Sequence, residues 1–480
     1  MQIPLLEYPQ TIESKMMIQD DTICAISTPH GVGGIAVARV SGADAITVVD
    51  RVWKGKPLAD ATSHTAHLGT IVDEQGEPID QAVATVFRAP RSFTGENVVE
   101  IAVHGSKWVQ RELINLLIRQ GCRIAGAGEF TRRAFANGRM DLAEAEAVAD
   151  VIASSSSAAH RIAMSQMRGD FSNRLSSLHD QLLDLASLLE LELDFSEEEV
   201  EFASREKLLS LAQEIHSVVS RLASTFATGA AIKDGVPVAI VGETNAGKST
   251  LLNQLLHEER AIVSDIHGTT RDTIEDTIEI GDTLFRFIDT AGLRETTDTI
   301  EALGIERTLQ KITDARIVLW VIDATAGINA IKRASQRVLP QLTEEQILVI
   351  AINKTDNPDA DIINIENTLR KIIPTTTEIT HISARQGTGI EQLEALLVKA
   401  SGAADIAPGE IMVTNARHYE ALTHAATAIS RAIDGLSMGL SGDFIAQDIR
   451  ETLHHLGEIT GTITSQDILT TIFSRFCIGK

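Results

Sequence analysis

The chain of 480 residues is poor in cysteine and has no excess of positive charge. Its three cysteines, Cys24, Cys122 and Cys477, are far apart and form no CxxC pair, so the sequence favours neither a disulfide framework nor a zinc site. Acidic residues outnumber basic ones by 66 to 42, a formal net charge of −24, which argues against a broad basic surface for non-specific nucleic-acid binding. We therefore expect a protein of the reducing cytoplasm, whose contact with any nucleic acid is local or shared with a partner.

Long apolar runs and targeting segments are also lacking. No apolar stretch is long enough to span a bilayer, and the first twenty residues lack a basic start followed by an apolar core. There is no internal repeat and no long linker rich in proline or glycine. With 44% hydrophobic residues the chain can form sizeable cores, and its length favours about three domains. These observations indicate a multidomain globular protein that does not contact a membrane.

The hydrophobic pattern changes along the chain and divides it into five segments. Residues 1–21 have no clear period and are expected to form a loosely ordered extension. Short β-type runs between turns predict an α+β domain over 22–140, and an alanine- and leucine-rich period predicts helices over 141–232. Strands and helices alternate over 233–402, as in a mostly parallel α/β sheet, and the helical pattern returns over 403–480. The α/β domain is thus predicted to be inserted into a helical domain.

The stretch 236–256 (VPVAIVGETNAGKSTLLNQLL) has the strand, loop and helix of a phosphate-binding loop. Gly242 and Gly247 let backbone N–H groups face a polyphosphate, Lys248 reaches the outer phosphates, and Ser249 offers a hydroxyl to magnesium. The alternative is an ordinary glycine turn between a strand and a helix, but the eight-residue pattern and its flanks agree with the first interpretation. The sequence therefore predicts a nucleotide site in a P-loop domain.

A second motif selects the base. Asn353, Lys354, Thr355 and Asp356 follow an apolar strand. A carboxylate at Asp356 can accept from the N1–H and the 2-amino group of guanine, whereas adenine has an acceptor at N1 and no 2-amino group. Backbone N–H groups of Ser383 and Ala384, after the next strand, are expected near the guanine oxygen. A surface turn is the alternative, but the motif stands at the expected place in the strand order. The sequence therefore predicts GTP.

Two further loops are predicted to sense the nucleotide state. Asp289 begins a DxxG motif whose glycine approaches the γ-phosphate, and Thr270 in the upstream GTTRD segment supplies a hydroxyl to magnesium only while that phosphate is present. Leu293 stands where many GTPases have a glutamine that orients the attacking water. Catalytic help must then come from elsewhere, or the chain is a slow switch that awaits an external activator.

The sequence closely resembles the MnmE (TrmE) family of tRNA-modification GTPases over residues 22–480. Besides the GTPase motifs, four blocks carry the resemblance: 33–42 (GGIAVARVSG), 92–100 (SFTGENVVE), 128–141 (GEFTRRAFANGRMD) and 476–480 (FCIGK). The GTPase motifs alone would not distinguish this family from ribosome-assembly GTPases. A regulatory GTPase of that kind, without modification chemistry, is the rival, but it should have a basic RNA-binding module, and this acidic chain has none.

The resemblance implies an N-terminal domain that binds folate and dimerises, a helical domain, and a GTPase domain that responds to potassium. It implies a homodimer that forms a heterotetramer with the flavoprotein MnmG (GidA) and acts on tRNA. The complex would install an aminomethyl-type group, carboxymethylaminomethyl, on carbon 5 of the wobble uridine. The implied cofactors are GTP, Mg²⁺, K⁺ and a reduced folate, either 5-formyl- or 5,10-methylene-tetrahydrofolate.

The same resemblance implies roles for individual residues. Glu301 matches the glutamate that orients water, and Cys477 is expected to act in the modification step; the folate contacts would be Arg39, Glu100, Arg139 and Lys480. The implied GTP-binding positions are Asn245, Ala246, Gly247, Lys248, Ser249, Thr250, Ser264, Thr269, Thr270, Asp289, Thr290, Ala291, Gly292, Asn353, Lys354, Asp356, Ser383, Ala384 and Arg385. Magnesium would be held by Ser249 and Thr270, and potassium by Asn245, Ser264, Ile266 and Thr269.

Three departures from the family pattern stand out. Thr244 replaces a proline that is frequent before the asparagine of the loop, a backbone change that should leave Asn245 usable. Arg139 stands where lysine is frequent near the folate, which keeps the charge but changes its shape. The extension 1–21 aligns with nothing in the family.

Overall fold

The computed structural model describes residues 21–194, 205–258, 276–288, 313, 315–343, 346–402, 410–474, 476 and 479. The predicted site residues Ser264, Ile266, Thr269, Thr270, Asp289, Thr290, Ala291, Gly292, Glu301, Cys477 and Lys480 lie outside these ranges. The chain divides into two compact units. The first unit spans Met1–Ala149, Gln166–Ile215 and Thr427–Lys480, and the second spans Asp150–Ser165 and His216–Ala426.

Strands are concentrated in two stretches of the described residues, and helices dominate the segment that follows each stretch. The strands are β1 Ile23–Ile26, β2 Gly33–Ser41, β3 Trp53–Lys54, β4 Thr65–Val72, β5 Pro78–Phe87, β6 Val98–Gly105, β7 Arg123–Ile124, β8 Val236–Val241, β9 Asp276–Ile280, β10 Thr283–Phe287, β11 Ile317–Asp323, β12 Ile347–Asn353 and β13 Glu378–His381. The helices are α1 Ala45–Asp50, α2 Lys107–Arg119, α3 Glu129–Ala136, α4 Leu142–Ala153, α5 Ser157–Met167, α6 Asp170–Asp194, α7 Arg205–Ser224, α8 Phe226–Asp234, α9 Lys248–Glu258, α10 Ile328–Val338, α11 Ile362–Leu369, α12 Ile390–Ser401, α13 Ala416–Met438, α14 Gly442–Thr460 and α15 Gln466–Ser474. Among the described helices, none has the length and apolar character needed to cross a bilayer.

The first unit contains a seven-stranded sheet in the order β3-β4-β5-β6-β2-β1-β7. Neighbouring strands are antiparallel except β1 and β7, which are parallel. On β2, Ala36, Ala38 and Val40 are buried in one core with residues of α1 and α2, whereas Val37 and Arg39 alternate with them on the opposite face. This alternation leaves one sheet face uncovered by those two helices.

Helices from both sides of the α/β segment pack together in the first unit. The long helix α6 lies against α14. Leu142 at the start of α4 shares a core with Leu469 and Phe473 of α15. These contacts agree with a helical domain that is assembled from both flanks of an insertion.

The second unit contains a six-stranded sheet in the order β13-β12-β11-β8-β10-β9. All its pairs are parallel except the hairpin of β9 and β10. On β11, Leu319 and Val321 enter one core, while Trp320 and Ile322 enter another on the opposite face. Burial on both faces explains why these strands are near-continuous apolar runs, and it requires helices on each side.

The predicted fold class, an α+β domain, a helical domain and an inserted α/β P-loop domain, is confirmed. The boundaries at 1–21, 22–140, 141–232, 233–402 and 403–480 stay predictions. At the carboxyl edge of the parallel sheet, the loops after β8, β11, β12 and β13 meet, and in such sheets this edge is where ligands bind.

Candidate functional site

The loop between β8 and α9 has the backbone of a phosphate cradle. Gly242 has φ +151° and Gly247 has φ +94°, and a Cβ at these positions would collide with the carbonyl oxygen of Val321 and the side-chain amide of Asn353 respectively. Asn245 also adopts a positive φ of 66°. Only glycine fits at the two tight positions, which explains the spacing of the motif.

Lys248 lies over this loop at the first turn of α9. Its Nζ donates to the carbonyl oxygens of Gly242 and Glu243, each at 2.8 Å. The ammonium is therefore held on the side of the loop where a phosphate would receive it. Ser249 and Thr250 follow in the same turn, so their placement agrees with the predicted motif.

Asn353 ties three loops together and is 2% exposed. Its Nδ2 donates to the carbonyl oxygen of Ala246 at 2.8 Å, and its Oδ1 accepts from the backbone N–H of Ala384 at 2.9 Å. Because both polar atoms of the buried amide are satisfied, the phosphate loop and the loop after β13 are fixed relative to the base motif. The structure thus brings together three sequence motifs that are predicted to bind one nucleotide.

Of the groups predicted to contact the base, the carboxylate is exposed, whereas the two backbone N–H groups are bonded within the protein. Asp356 is exposed at the loop surface, where its Oδ2 accepts from Gln386 Nε2 at 3.4 Å. The N–H of Ser383 donates to the carbonyl oxygen of Thr388 at 2.9 Å, and the N–H of Ala384 is used by Asn353. Both N–H groups are thus engaged within the protein, and their contact with the guanine oxygen stays a prediction, with exposed Arg385 next in the turn.

Asp323 is a residue of this site that sequence reasoning missed. Its Oδ2 is 2.6 Å from Lys354 Nζ, and its Oδ1 accepts from the N–H and the hydroxyl of Thr325 at 2.9 and 2.7 Å. Burial raises the pKa of Asp323, but the hydrogen bonds from Lys354 and Thr325 outweigh it and hold the pKa below its usual value. The available signal was an aspartate at the carboxyl end of a buried strand that adjoins the Asn353 strand.

The first unit holds a second group of candidates. Arg39 on β2 and Glu100 on β6 are paired across the strands, with Arg39 Nε and Nη2 at 2.9 and 2.8 Å from Glu100 Oε1. The guanidinium also lies 5.1 and 5.5 Å from the ring centres of Phe93 and Phe130. Arg139 is exposed, and its side-chain stem lies against Gly95 in the loop that leads to β6.

A buried ionic cluster, also missed from the sequence, supports this region. Arg133 and Glu129 on α3 are 1% and 4% exposed. Arg133 donates to Glu96 at 3.1 Å and to Asp21 at 2.8 Å, and Arg123 donates to Glu129 at 2.6 Å. Burial raises the pKa of Glu129, but hydrogen bonds from Arg123, Gly126 and Arg133 prevail and lower it to about 2. The cluster fixes α3 against the loop that carries Glu96.

Comparison with known proteins extends these findings over both units. A family model described as "GTP-binding protein TrmE N-terminus" matches residues 22–139, and one described as "MnmE helical domain" matches 142–477. A protein of Parabacteroides distasonis named "tRNA modification GTPase MnmE" is 52% identical over 475 residues, covering 96% of this chain and 100% of the relative. Proteins of the same name from Bacteroides fragilis and Christiangramia forsetii are 50% and 48% identical, each covering 96% of this chain and 100% and 99% of the relative. The chain therefore belongs to the MnmE (TrmE) family of tRNA modification GTPases.

Proposed function

We propose that the protein hydrolyses GTP within a complex that places a carboxymethylaminomethyl group on carbon 5 of the wobble uridine of certain tRNAs. The observation that carries this proposal is the buried Asn353, which joins the phosphate loop to the two base loops in a chain whose flanking domains match the family. A ribosome-assembly GTPase would need only the nucleotide domain and an RNA-binding module. The matches on both sides of the nucleotide domain favour the modification complex.

In the nucleotide domain, Lys248 would exchange its loop carbonyls for the outer phosphates, and Asp356 would accept from the edge of guanine. Ser249 and Thr270 would hold Mg²⁺, which supplies charge stabilisation to the transferring phosphoryl group when bound. Glu301 would orient the attacking water in place of the missing glutamine.

Potassium is proposed beside the phosphates. Asn245, held at positive φ in the exposed part of the phosphate loop, would offer its side-chain oxygen, and Ser264, Ile266 and Thr269 would complete the set. A monovalent cation there could replace the charge of an arginine finger, so no activator protein would be needed. Equal GTP turnover in potassium and sodium would contradict this assignment.

The exposed sheet face of the first unit is proposed to bind a reduced folate. Such a ligand has a carboxylate tail and a pterin edge with both donors and acceptors, so it requires basic groups and a carboxylate in one place. The Arg39–Glu100 pair offers both, next to the partly exposed ring of Phe93, on which a flat ligand could stack; Phe130 is fully buried and only supports the guanidinium. The complete proposed set is Arg39, Glu100, Arg139 and Lys480.

The same sheet face supports the proposal of a homodimer. Leu68, Val83, Ala102 and Val37 lie opposite one another across β4, β5, β6 and β2, and Leu68 is 68% exposed. Ile35 on the same face of β2 is 70% exposed. A row of apolar side chains across an open sheet is typical of a protein interface, and a second copy of this chain would cover it.

Cys477 is proposed to take part in the modification step, in which MnmG would be the partner. The described residues before and after it contact the first unit: Gly479 accepts a hydrogen bond from Ser27 Oγ at 3.0 Å, and Phe476 packs with α15. A Cys477→Ser protein should hydrolyse GTP normally and fail to restore the tRNA modification.

The deciding experiment is mass spectrometry of wobble nucleosides in tRNA from a cell that lacks this protein. We expect the carboxymethylaminomethyl nucleoside to disappear and to return when the wild-type chain is supplied. Unchanged wobble nucleosides together with a defect in ribosome assembly would overturn the proposal in favour of the rival.

A further inference from the structure

The pair of Asp323 and Lys354 joins two loops at the edge of the nucleotide site. Asp323 is the last residue of β11, and Asn353 beside it is the last residue of β12. The N–H of Ala324 donates to the carbonyl oxygen of Asn353 at 2.8 Å, so the backbones of the two loops are already coupled where the side chains meet. The Lys354 ammonium lies at this strand end, 2.6 Å from Asp323 Oδ2.

Hydrogen bonds from Thr325 orient the Asp323 carboxylate independently of Lys354. Thr325 holds Oδ1 through two hydrogen bonds, and Oδ2 receives the Lys354 ammonium, so each carboxylate oxygen has its own donors. The side chains of Asp323 and Lys354 are 19% and 36% exposed. A pair that is partly shielded and oriented by further hydrogen bonds is stronger than an ordinary surface ion pair.

The backbone conformation of Lys354 restricts the direction in which its side chain leaves the chain. Its φ is +65°, an uncommon value for a residue other than glycine, and it stands between Asn353, which faces the phosphate loop, and the base-reading Asp356. A lysine stem in this place offers its methylene groups to the face of a purine, with the ammonium beyond the ring. Free lysine side chains lose about 2 kcal/mol of rotamer entropy when they are ordered, so prior fixation of the ammonium favours binding.

We propose that Asp323 is a positioning residue for the guanine nucleotide, which acts by holding the ammonium of Lys354 so that the lysine stem is ready to cover the base. The inference rests on the proposed guanine site. Asp323 would not contact the base, and it belongs to none of the motifs that predict GTP binding. Thr325 supports the position of Lys354 indirectly, because it orients the carboxylate of Asp323.

The test is a double-mutant cycle on the full chain, measured as the dissociation constant of a fluorescent methylanthraniloyl-GDP. Asp323→Asn keeps the shape and removes the charge, and Lys354→Gln removes the ammonium. We expect each single change to weaken GDP binding about tenfold, as for the loss of one charge-assisted hydrogen bond, and the double variant to bind no worse than Lys354→Gln. Asp359→Asn, an equal charge change at an exposed position of the same loop, should stay within about twofold of the wild type.

Two results would overturn the inference alone: GDP binding by Asp323→Asn within about twofold of the wild type, or single effects that multiply in the double variant. If Asp323→Asn does not fold, Thr325→Val replaces it in the cycle. It should weaken binding about threefold in the wild type and not at all beside Lys354→Gln, and equal effects in both backgrounds would refute the role. A wild-type chain that fails to bind GDP would refute the guanine site itself and the inference with it.

Discussion

The nucleotide loops and the exposed sheet face are held in place by different means. In the second unit, glycines that leave no room for a Cβ and the buried amide of Asn353 shape the backbone of the loops. In the first unit, the candidate groups are side chains on neighbouring strands, Arg39 and Glu100. Helix α3 is held by ion pairs of its Arg133 and Glu129 with residues outside the helix. One site is therefore made mainly of backbone geometry and the other mainly of paired charges.

This difference predicts opposite sensitivities. In the nucleotide site, changes of charge should mainly affect ligand binding, at side chains that meet the ligand or that position one that does. In the first unit, changes of charge should affect both ligand binding and the stability of the fold, because the same kind of interaction serves both.

The largest effect is expected at Lys248. Lys248→Ala removes the ammonium that lies over the phosphate loop and should lower the rate of GTP hydrolysis by about a thousandfold, since no other described group takes its place there. Hydrolysis is measured as phosphate release at saturating magnesium. The control Lys371→Ala, at an exposed position of the same unit, should retain the wild-type rate. A Lys248→Ala rate within about tenfold of wild type would contradict the assigned role.

A second prediction concerns the stability of the first unit. Glu129 has its native pKa lowered from 4.5 to about 2, so its stabilisation is complete above about pH 4.5 and is lost as the pH falls towards 2. Glu129→Gln should reduce the free energy of unfolding at neutral pH by about 3 kcal/mol and flatten its decline below pH 4.5.

Urea unfolding at several pH values measures both quantities. Glu112→Gln, which alters an ion pair with exposed Arg111 at 3.4 Å, is the matched control and should change stability by less than about 1 kcal/mol. Equal losses in the two variants would show that the buried cluster contributes no more than a surface pair.

The smallest of these effects is expected at Glu100. Glu100→Gln leaves Arg39 without its charged partner and should weaken the binding of 5-formyl-tetrahydrofolate about tenfold, while GTP hydrolysis stays unchanged. Isothermal calorimetry measures the binding, with Glu77→Gln as an exposed control. Unaltered folate affinity in Glu100→Gln would show that Glu100 does not contribute to the folate site. No folate binding by the wild-type chain would refute the folate proposal.

The contrast between the two sites also explains what could be predicted from the sequence. The phosphate loop is contiguous, so its glycines, lysine and flanking apolar runs specify strand, turn and helix together. The partners Ala246 and Ala384 of Asn353, and Lys354 of Asp323, lie in loops that follow other strands. Their pairing depends on strand order and register, which no local sequence pattern shows. The motif alone assigns the N–H groups of Ser383 and Ala384 to the base, whereas the fold uses both internally.

In the first unit, the limits are of the same kind. Family resemblance connects Arg39 with Glu100, and only the register of β2 and β6 makes them neighbours. The cluster around Arg133 consists of Asp21, Glu96 in the loop before β6, and Glu129 on α3. No local pattern in the sequence indicates such a network. Long-range charge pairing needs the tertiary fold, whereas a backbone motif does not.

The base specificity that Asp356 confers decides whether this site binds guanine. Asp356→Asn replaces an acceptor by an amide that can donate to the 2-oxo group of xanthine, so the variant should bind GDP about 100-fold more weakly and gain affinity for XDP. Competition between GDP and XDP for the full chain measures this change of base preference. A variant that still prefers GDP, with unchanged affinity, would contradict the assignment of this site to guanine.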